Sequence, residues 1–198
     1  MPFADVTGFV LVGGKSSRMG EDKALLSFEG SLFLEVALKR VRDICAKAYL
    51  VGSRERYGRF GEVVEDRFKD CGPLGGIHAA LTASTDDLNL VVAVDTPLLQ
   101  SRVLEYLIGR ARQSSALVTV SRSGDRLQPL GAVYRRKFAE LAEGALKAGR
   151  GKIEALFSPA IIEAVEETEL QDSGLDTGTF LNVNTQADMR ELLRRFKR

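Results

Sequence analysis

Runs of apolar residues alternate along the chain with segments whose apolar and charged residues are spaced as on a helix. Residues 8–12 form an apolar run that stops at two glycines, and residues 88–94 form the strongest run of this kind. Such runs are typical of strands that are buried on both faces. Residues 31–46 instead place apolar side chains at helical intervals among Glu, Lys and Arg. The pattern predicts an α/β fold.

The rest of the chain continues this alternation. We expect further strands at residues 48–51, 62–65, 116–120, 131–134, 161–166 and 180–183. We expect helices at 75–83, at 101–113 with Ser101 as the cap, at 137–148 and from 185 onward, and a loop at 171–178. Strands that alternate with helices imply a mostly parallel sheet covered on both faces. Because no repeat or linker divides the sequence, we expect one domain over residues 1–198.

Composition excludes several classes of protein. Lys and Arg number 28 against 27 Asp and Glu, a balance that argues against a general nucleic-acid binder. Two cysteines and one histidine leave no disulfide framework, Cys-rich zinc site or multi-His metal centre, so any metal should have oxygen ligands. We interpret the single histidine, His78, as structural. No apolar run reaches the ~18 residues of a membrane span and the start lacks a signal-peptide pattern, so we expect a cytoplasmic protein without a membrane partner.

The segment from Leu11 to Lys23, which reads LVGGKSSRMGEDK, carries the most distinctive chemistry. It begins where the first strand ends, which is the edge where ligands bind in open parallel sheets. Its three glycines let backbone N–H groups approach an oxyanion, and Arg18 and Lys23 supply cations for phosphate. Its spacing matches neither the P-loop nor the dinucleotide fingerprint. The residues favour a triphosphate cradle, with a solvated loop of scattered charges as the alternative.

Two carboxylates follow predicted strands. Asp95 ends the strongest strand, and a Mg²⁺ site for nucleotide chemistry needs only one or two carboxylates when phosphates and water complete the shell. The residues alone leave open whether Asp95 binds a metal or caps a turn with Thr96 and Pro97. Asp66, after the strand at 62–65, is likewise either a nucleotide ligand or a turn residue.

A pair of amides lies near the end of the chain. Asn182 and Asn184 flank Val183 at a spacing of two, so on a strand they share one face. An amide can donate to a phosphate or bind Mg²⁺ through its oxygen. The alternative is that one Asn caps the last helix and the other is exposed.

The glycine-rich string is similar to the signature of molybdenum cofactor guanylyltransferases, approximately L-x-G-G-x-S-x-R-M-G-x-D-K. The matching positions are Leu11, Gly13, Gly14, Ser16, Arg18, Met19, Gly20, Asp22 and Lys23. Further motifs follow in the family's order along almost the whole chain: Glu65-Asp66, Gly72-Pro73-Leu74, Asp95-Thr96-Pro97, Gln128-Pro129-Leu130 and Asn182-Val183-Asn184-Thr185. One position departs from the pattern, because Gln186 stands where the family usually has Pro, and this puts the start of the last helix in doubt.

The resemblance implies a Rossmann-like, three-layer α/β sandwich of the nucleotidyltransferase type. It implies transfer of GMP from GTP to the terminal phosphate of molybdopterin, with release of pyrophosphate and formation of the guanine dinucleotide form of the molybdenum cofactor. Lys23, Arg18 and Asp95 would be catalytic, with Mg²⁺ on Asp95, and Asn182 and Asn184 would bind the pterin. The residues implied for GTP are Leu11, Val12, Gly13, Gly14, Ser16, Lys23, Asp66 and Asp95.

Other functions share these features. A cytidylyltransferase for the same pterin, or a sugar-phosphate nucleotidyltransferase, would have the same core, but the pairs Gly13-Gly14 and Asp22-Lys23 favour guanylyl transfer. A nucleotide-binding adaptor without activity would be expected to have lost Asp95 or Lys23, and both are present. We expect GTP and molybdopterin as ligands, with transient contacts to proteins that deliver the cofactor or mature molybdoenzymes as a further candidate.

Overall fold

A computed structural model describes residues 1–13, 22–68 and 71–196. Its described strands are β1 (Phe3–Leu11), β2 (Ser27–Phe28), β3 (Ser31–Leu32), β4 (Cys45–Val51), β5 (Val63–Val64), β6 (Leu88–Ala93), β7 (Val118–Ser123), β8 (Arg126–Leu127), β9 (Gly131–Arg135) and β10 (Ile162–Val165). The main sheet has the order β10-β7-β9-β6-β1-β4-β5, with β8 paired to β7. β9 is antiparallel to both of its neighbours, whereas β5, β4, β1 and β6 are mutually parallel. The expected mostly parallel sheet is confirmed.

Helices cover both faces of this sheet. They are α1 (Phe33–Ile44), α2 (Arg54–Tyr57), α3 (Gly72–Ala83), α4 (Ser101–Gln113), α5 (Phe138–Lys147), α6 (Glu167–Asp172) and α7 (Gln186–Phe196). In β1, Val6 and Val10 pack into a core with α1 and α4, while Phe9 and Leu11 pack into a second core with α3 and α5. This alternation follows from the two-residue period of a strand and produces the three-layer α/β sandwich.

Several predicted boundaries are wrong. Helix α3 begins at Gly72 rather than at 75, because Pro73 fits the first turn, where no N–H donor is needed. Ser101 is the first residue of α4 and not its cap, which is Gln100. Residues 171–172 end α6 and Thr177–Thr179 form a 3₁₀ turn capped by Asp176, so only the middle of the predicted loop is irregular.

The predicted strand at 180–183 is also wrong. In the structure, residues 180–183 do not form a strand. Their backbone makes one hydrogen bond to the turn after β6, from Val183 N to Asp95 O at 2.8 Å. One bond does not make a strand ladder. The segment nevertheless runs beside the end of β6, which matters for the site.

Helix α7 starts without the proline that the family pattern has at its first position. Thr185 and Asp188 replace it with a reciprocal cap: Asp188 N donates to Thr185 Oγ1 at 3.2 Å, and Thr185 N donates to Asp188 Oδ2 at 2.8 Å. The start of the helix is thus fixed by side chains. Among the described helices, none combines the length and apolar character needed to cross a membrane.

Two glycines give opposite expectations for the same substitution. A Cβ on Gly8 in β1 would lie 2.1 Å from Val41 Cγ1 of α1, whereas a Cβ on Gly109 in α4 would meet no described atom within 4 Å apart from its chain neighbours and the backbone of its own helix. We expect Gly8→Ala to lower the free energy of unfolding by about 1–3 kcal/mol through overpacking. Gly109→Ala should raise it by about 0.5–1 kcal/mol because alanine loses less entropy in a helix. Urea unfolding of both variants measures this, and equal effects would contradict the close α1–β1 packing.

Candidate active site

A cavity of about 160 Å³ opens at the carboxyl ends of β1 and β6. Its lining residues are Leu11, Val12, Gly13, Asp22, Lys23, Ala24, Pro73, Ala93, Val94, Asp95 and Leu130. Four of the sequence motifs, far apart in the chain, therefore meet in one place. Gly14, Ser16 and Arg18, which were predicted for the same site, lie outside the described residues.

The beginning of the glycine-rich loop is anchored to the sheet. Val12 N donates to Val51 O at 3.0 Å, continuing the parallel pairing of β1 and β4 by one residue. A Cβ on Gly13 would lie 3.8 Å from the Cα of Gly52, an ordinary contact. Because the amide of Val12 is already bonded, Gly13 is the first residue of the loop whose backbone N–H could meet a ligand in the cavity.

Asp22 fixes the turn that carries Lys23. Its Oδ1 accepts from Ala24 N at 3.1 Å and so caps the 3₁₀ turn Lys23–Leu25. Its Oδ2 accepts from the hydroxyl of Tyr57 at 2.7 Å, and Arg56 lies 3.6 Å away. Burial, followed by the bond to Asp22, raises the pKa of Tyr57 to about 12, so the phenol stays a donor. The two residues of the Asp-Lys pair therefore have different roles: Asp22 stabilises the turn, and Lys23 lines the cavity.

Lys23 contacts the last motif of the chain. Its Nζ donates to Asn184 Oδ1 at 2.5 Å, across 161 positions of sequence. An ammonium group has three donors, and the bond to Asn184 uses one of them within the described residues, so two remain for a ligand. The structure therefore places Asn184 on Lys23, whereas Asn182 is exposed and Val183 between them is buried.

Asp95 presents a carboxylate at the end of β6. Its Oδ1 is buried and has no hydrogen-bond partner among the described residues, and an unpaired charge is costly to bury. Desolvation raises the pKa of Asp95, and the positive charge of Lys23 partly opposes this shift. A buried oxygen without a partner, beside a cation and on a cavity, is suited to a ligand that brings positive charge.

The residues fit a hard divalent cation that is shared with a bound phosphate. Within the described ranges, no cluster of three or more His, Cys, Asp or Glu side chains could hold a metal alone. Mg²⁺ in nucleotide sites commonly uses one or two carboxylates and completes its shell with phosphate and water. Asp95 has the free oxygen that such an arrangement needs.

Arg40 holds the turn that follows Asp95, a role that sequence reasoning missed. From α1 its guanidinium donates to Pro97 O at 2.6 Å and to Thr96 O at 3.3 Å. Burial lowers the pKa of Arg40 to about 10. The available signal was its place on α1, three residues after buried Ala37 and four before buried Ile44, at the margin of the apolar stripe.

Asp66 lies at the same edge of the sheet but does not line the cavity. Its Oδ1 accepts from Phe68 N at 2.8 Å, and a Cβ on Gly75 would lie 2.6 Å from its Oδ2. The carboxylate therefore packs against the first turn of α3, and desolvation raises its pKa. His78 of the same helix is buried, with its ring edge to face against Phe68 at 5.1 Å between centroids.

The chain is similar to known proteins over most of its length. The family model for the MobA-like NTP transferase domain matches residues 8–166. A probable molybdenum cofactor guanylyltransferase of Pelotomaculum thermopropionicum is 34% identical over 185 residues, which are 92% of this chain and 89% of that protein. The crystal structure of molybdopterin-guanine dinucleotide biosynthesis protein A from Archaeoglobus fulgidus has a TM-score of 0.83 at 25% identity, covering 93% of this chain and 95% of that one. Rv0371c of Mycobacterium tuberculosis, crystallised as a complex with manganese, has a TM-score of 0.63 at 20% identity, covering 96% of this chain and 98% of that one.

The sheet order, the cavity at the strand ends and these likenesses define a nucleotidyltransferase. Within that class, the chain belongs to the family of MobA-like NTP transferases. The resemblance inferred from the motifs is confirmed.

Arg40 and Arg42 offer a matched pair for testing the support of Asp95. Both lie on α1, but Arg42 is exposed and donates to Phe60 O at 3.4 Å, away from the Asp95 turn. We expect Arg40→Gln to lower kcat for nucleotidyl transfer roughly ten- to a hundredfold, because small displacements of a catalytic group cost that much. Arg42→Gln should stay within about twofold of the wild type. Steady-state kinetics measure kcat for both variants. Similar decreases in kcat would show that the bonds of Arg40 to the turn after Asp95 do not support catalysis.

Proposed function

We propose that this nucleotidyltransferase transfers GMP from GTP to the terminal phosphate of molybdopterin and releases pyrophosphate. The observation that carries the proposal is the convergence of Gly13, Lys23 and Asp95 on one cavity at the carboxyl ends of β1 and β6. Ligands of open α/β sheets bind at this edge. The names of the Pelotomaculum and Archaeoglobus relatives support guanylyl transfer to molybdopterin over the cytidylyl and sugar-phosphate alternatives.

The reaction needs charge stabilisation more than a reactive side chain. An oxygen of the acceptor phosphate attacks the α-phosphorus of GTP, an α–β bridging P–O bond breaks, and its electron pair leaves with pyrophosphate. Catalysis of such transfers consists of positioning and of neutralising the charge on the phosphate oxygens. Lys23, with two donors left beyond its bond to Asn184, would bind the triphosphate together with the amides from Gly13 onward. Arg18, Gly14 and Ser16 remain predicted members of the same subsite.

Asp95 would hold the divalent cation, which we propose to be Mg²⁺. The free Oδ1 of this carboxylate and the absence of a stronger cluster in the described chain support a metal shared with the nucleotide. A cation bound there would neutralise negative charge on the phosphate oxygens. Lys23 beside it balances the remaining negative charge and keeps the carboxylate from being a lone buried anion.

The acceptor subsite would lie next to the cavity, beside the segment at residues 180–184, which is bonded to Asp95 and Lys23. Val183 N is bonded to Asp95 O, so the exposed residue Asn182 directly precedes the residue that contacts the turn after β6. We therefore keep Asn182 as the pterin ligand and interpret Asn184 as a partner of Lys23. Asp66, which packs under α3, would act on GTP by shaping the first turn of that helix rather than through the cavity itself.

The direct test is a product assay with the purified protein, molybdopterin, Mg²⁺ and one nucleotide at a time. We expect pyrophosphate release and formation of the guanine dinucleotide with GTP, and at least about a hundredfold lower kcat/KM with CTP or UTP, the discrimination open to a site that hydrogen-bonds its base. Omission of molybdopterin is the control, because turnover should require the acceptor. Preference for CTP would establish the cytidylyl alternative. Binding of nucleotide without any product would establish a binding protein instead.

A further inference from the structure

Asp188, at the start of α7, makes one hydrogen bond more than a helix cap requires. A reciprocal cap needs its carboxylate to accept from the cap residue, and Asp188 Oδ2 does so with Thr185 N at 2.8 Å. The same oxygen also accepts from Asn184 N at 2.8 Å. These backbone bonds, with that to Asn184 the largest cause, lower the pKa of Asp188. The additional bond fixes a residue that lies before the helix.

That residue is the one that holds Lys23. Asn184 is restrained through its backbone by Asp188 and through its side-chain oxygen by the Nζ of Lys23 at 2.5 Å. The preceding residue, Val183, is fully buried and bonded to the carbonyl of Asp95. The amide oxygen of Asn184 therefore has a defined position on Lys23, which lines the cavity.

The anchor of this arrangement is the hydrophobic core. Leu192 lies one helical turn after Asp188 and is fully buried, and Met189 packs against the same core cluster. A contiguous set of contacts thus runs from the core through α7, Asp188 and Asn184 to the ammonium group of Lys23.

We propose that Asp188 is a positioning residue for Lys23: by fixing Asn184 it holds the ammonium group at the triphosphate side of the cavity. The inference about GTP rests on the proposed function, but the effect on Lys23 itself does not. It assigns to Asn184 and Asp188 a joint role in nucleotide use, and leaves Asn182 to the acceptor.

The test compares Asp188→Ala with Thr185→Ala. Asp188→Ala removes both carboxylate bonds, whereas Thr185→Ala removes the hydroxyl of the cap and leaves the bond between Asp188 and Asn184. Acetylation of Lys23 by dilute acetic anhydride, which transfers an acetyl group to Nζ and releases acetate, is followed by mass spectrometry and reports the accessibility of Nζ without any substrate. We expect several-fold faster acetylation of Lys23 in Asp188→Ala and an unchanged rate in Thr185→Ala, while urea unfolding records the loss of capping in both.

Kinetics give the second measurement. We expect Asp188→Ala to raise the KM for GTP about tenfold, the lower end of what a lost charged hydrogen bond costs, and Asp188→Asn to recover most of the loss because its amide oxygen still accepts. In an Asn184→Ala background, Asp188→Ala should add less than about twofold, since residues that act through one another are not additive.

The outcomes separate the two proposals. Unchanged Lys23 acetylation in Asp188→Ala, or equal effects of Asp188→Ala and Thr185→Ala on the GTP kinetics, would reduce Asp188 to a helix cap and overturn the inference. Additive losses in the Asn184→Ala background would overturn it too. Faster acetylation with no effect on GTP would uphold the positioning of Lys23 and contradict the proposed function of that lysine.

Discussion

Asp95 places a carboxylate just after a fully buried strand, with one oxygen that accepts no hydrogen bond from the part of the chain that the structure describes. A buried charge is costly, and here the charge of Lys23 is the compensation that the structure provides. The remainder of the site keeps these two groups at the cavity. Arg40 holds the turn after Asp95, Val183 is bonded to its carbonyl, and Asn184 holds Lys23. Stability alone does not explain this arrangement, because apolar residues of similar volume in place of buried charges often leave the free energy of unfolding equal or higher.

The parallel sheet explains how distant motifs come together. β1 and β6 are adjacent and parallel, and Leu11 pairs with Ala93, so the segments that follow these two residues begin at the same edge of the sheet. The chain end returns to this edge at residues 180–184, although it forms no strand there. The site thus combines rigid strand ends, which set the position of Asp95, with two short segments that depend on side-chain bonds, those of Asp22 and Asp188.

Strands and helices with strong periodicity were predictable from sequence, and so was the meeting of Gly13, Lys23 and Asp95, because parallel strands end at a common edge. The antiparallel strand β9 was not predictable in direction, since the residues at 131–134 read the same in either orientation. Residues 180–183 have the composition of a strand, but pairing requires a partner that composition does not reveal. The roles of Arg40 and Tyr57 were missed because they depend on tertiary contacts 56 and 35 positions away. The motif pattern predicts Asn184 as a pterin ligand, whereas in the folded chain its side-chain oxygen accepts a hydrogen bond from Lys23.

Asp95 serves the chemistry of the site at a cost in stability, and the variant Asp95→Asn separates these two effects. The substitution keeps the shape of the side chain and removes its charge, so urea unfolding without divalent metal should give a free energy of unfolding equal to or above that of the wild type. The same variant should lose more than about a hundredfold in kcat for guanylyl transfer, which is at least about 2.7 kcal/mol of transition-state stabilisation. A variant that keeps more than about a tenth of the activity would have lost less than about 1.4 kcal/mol of transition-state stabilisation, which is too little for a metal ligand. Such a result would contradict a chemical role of Asp95. So would a variant whose activity falls only in proportion to a loss of folded protein.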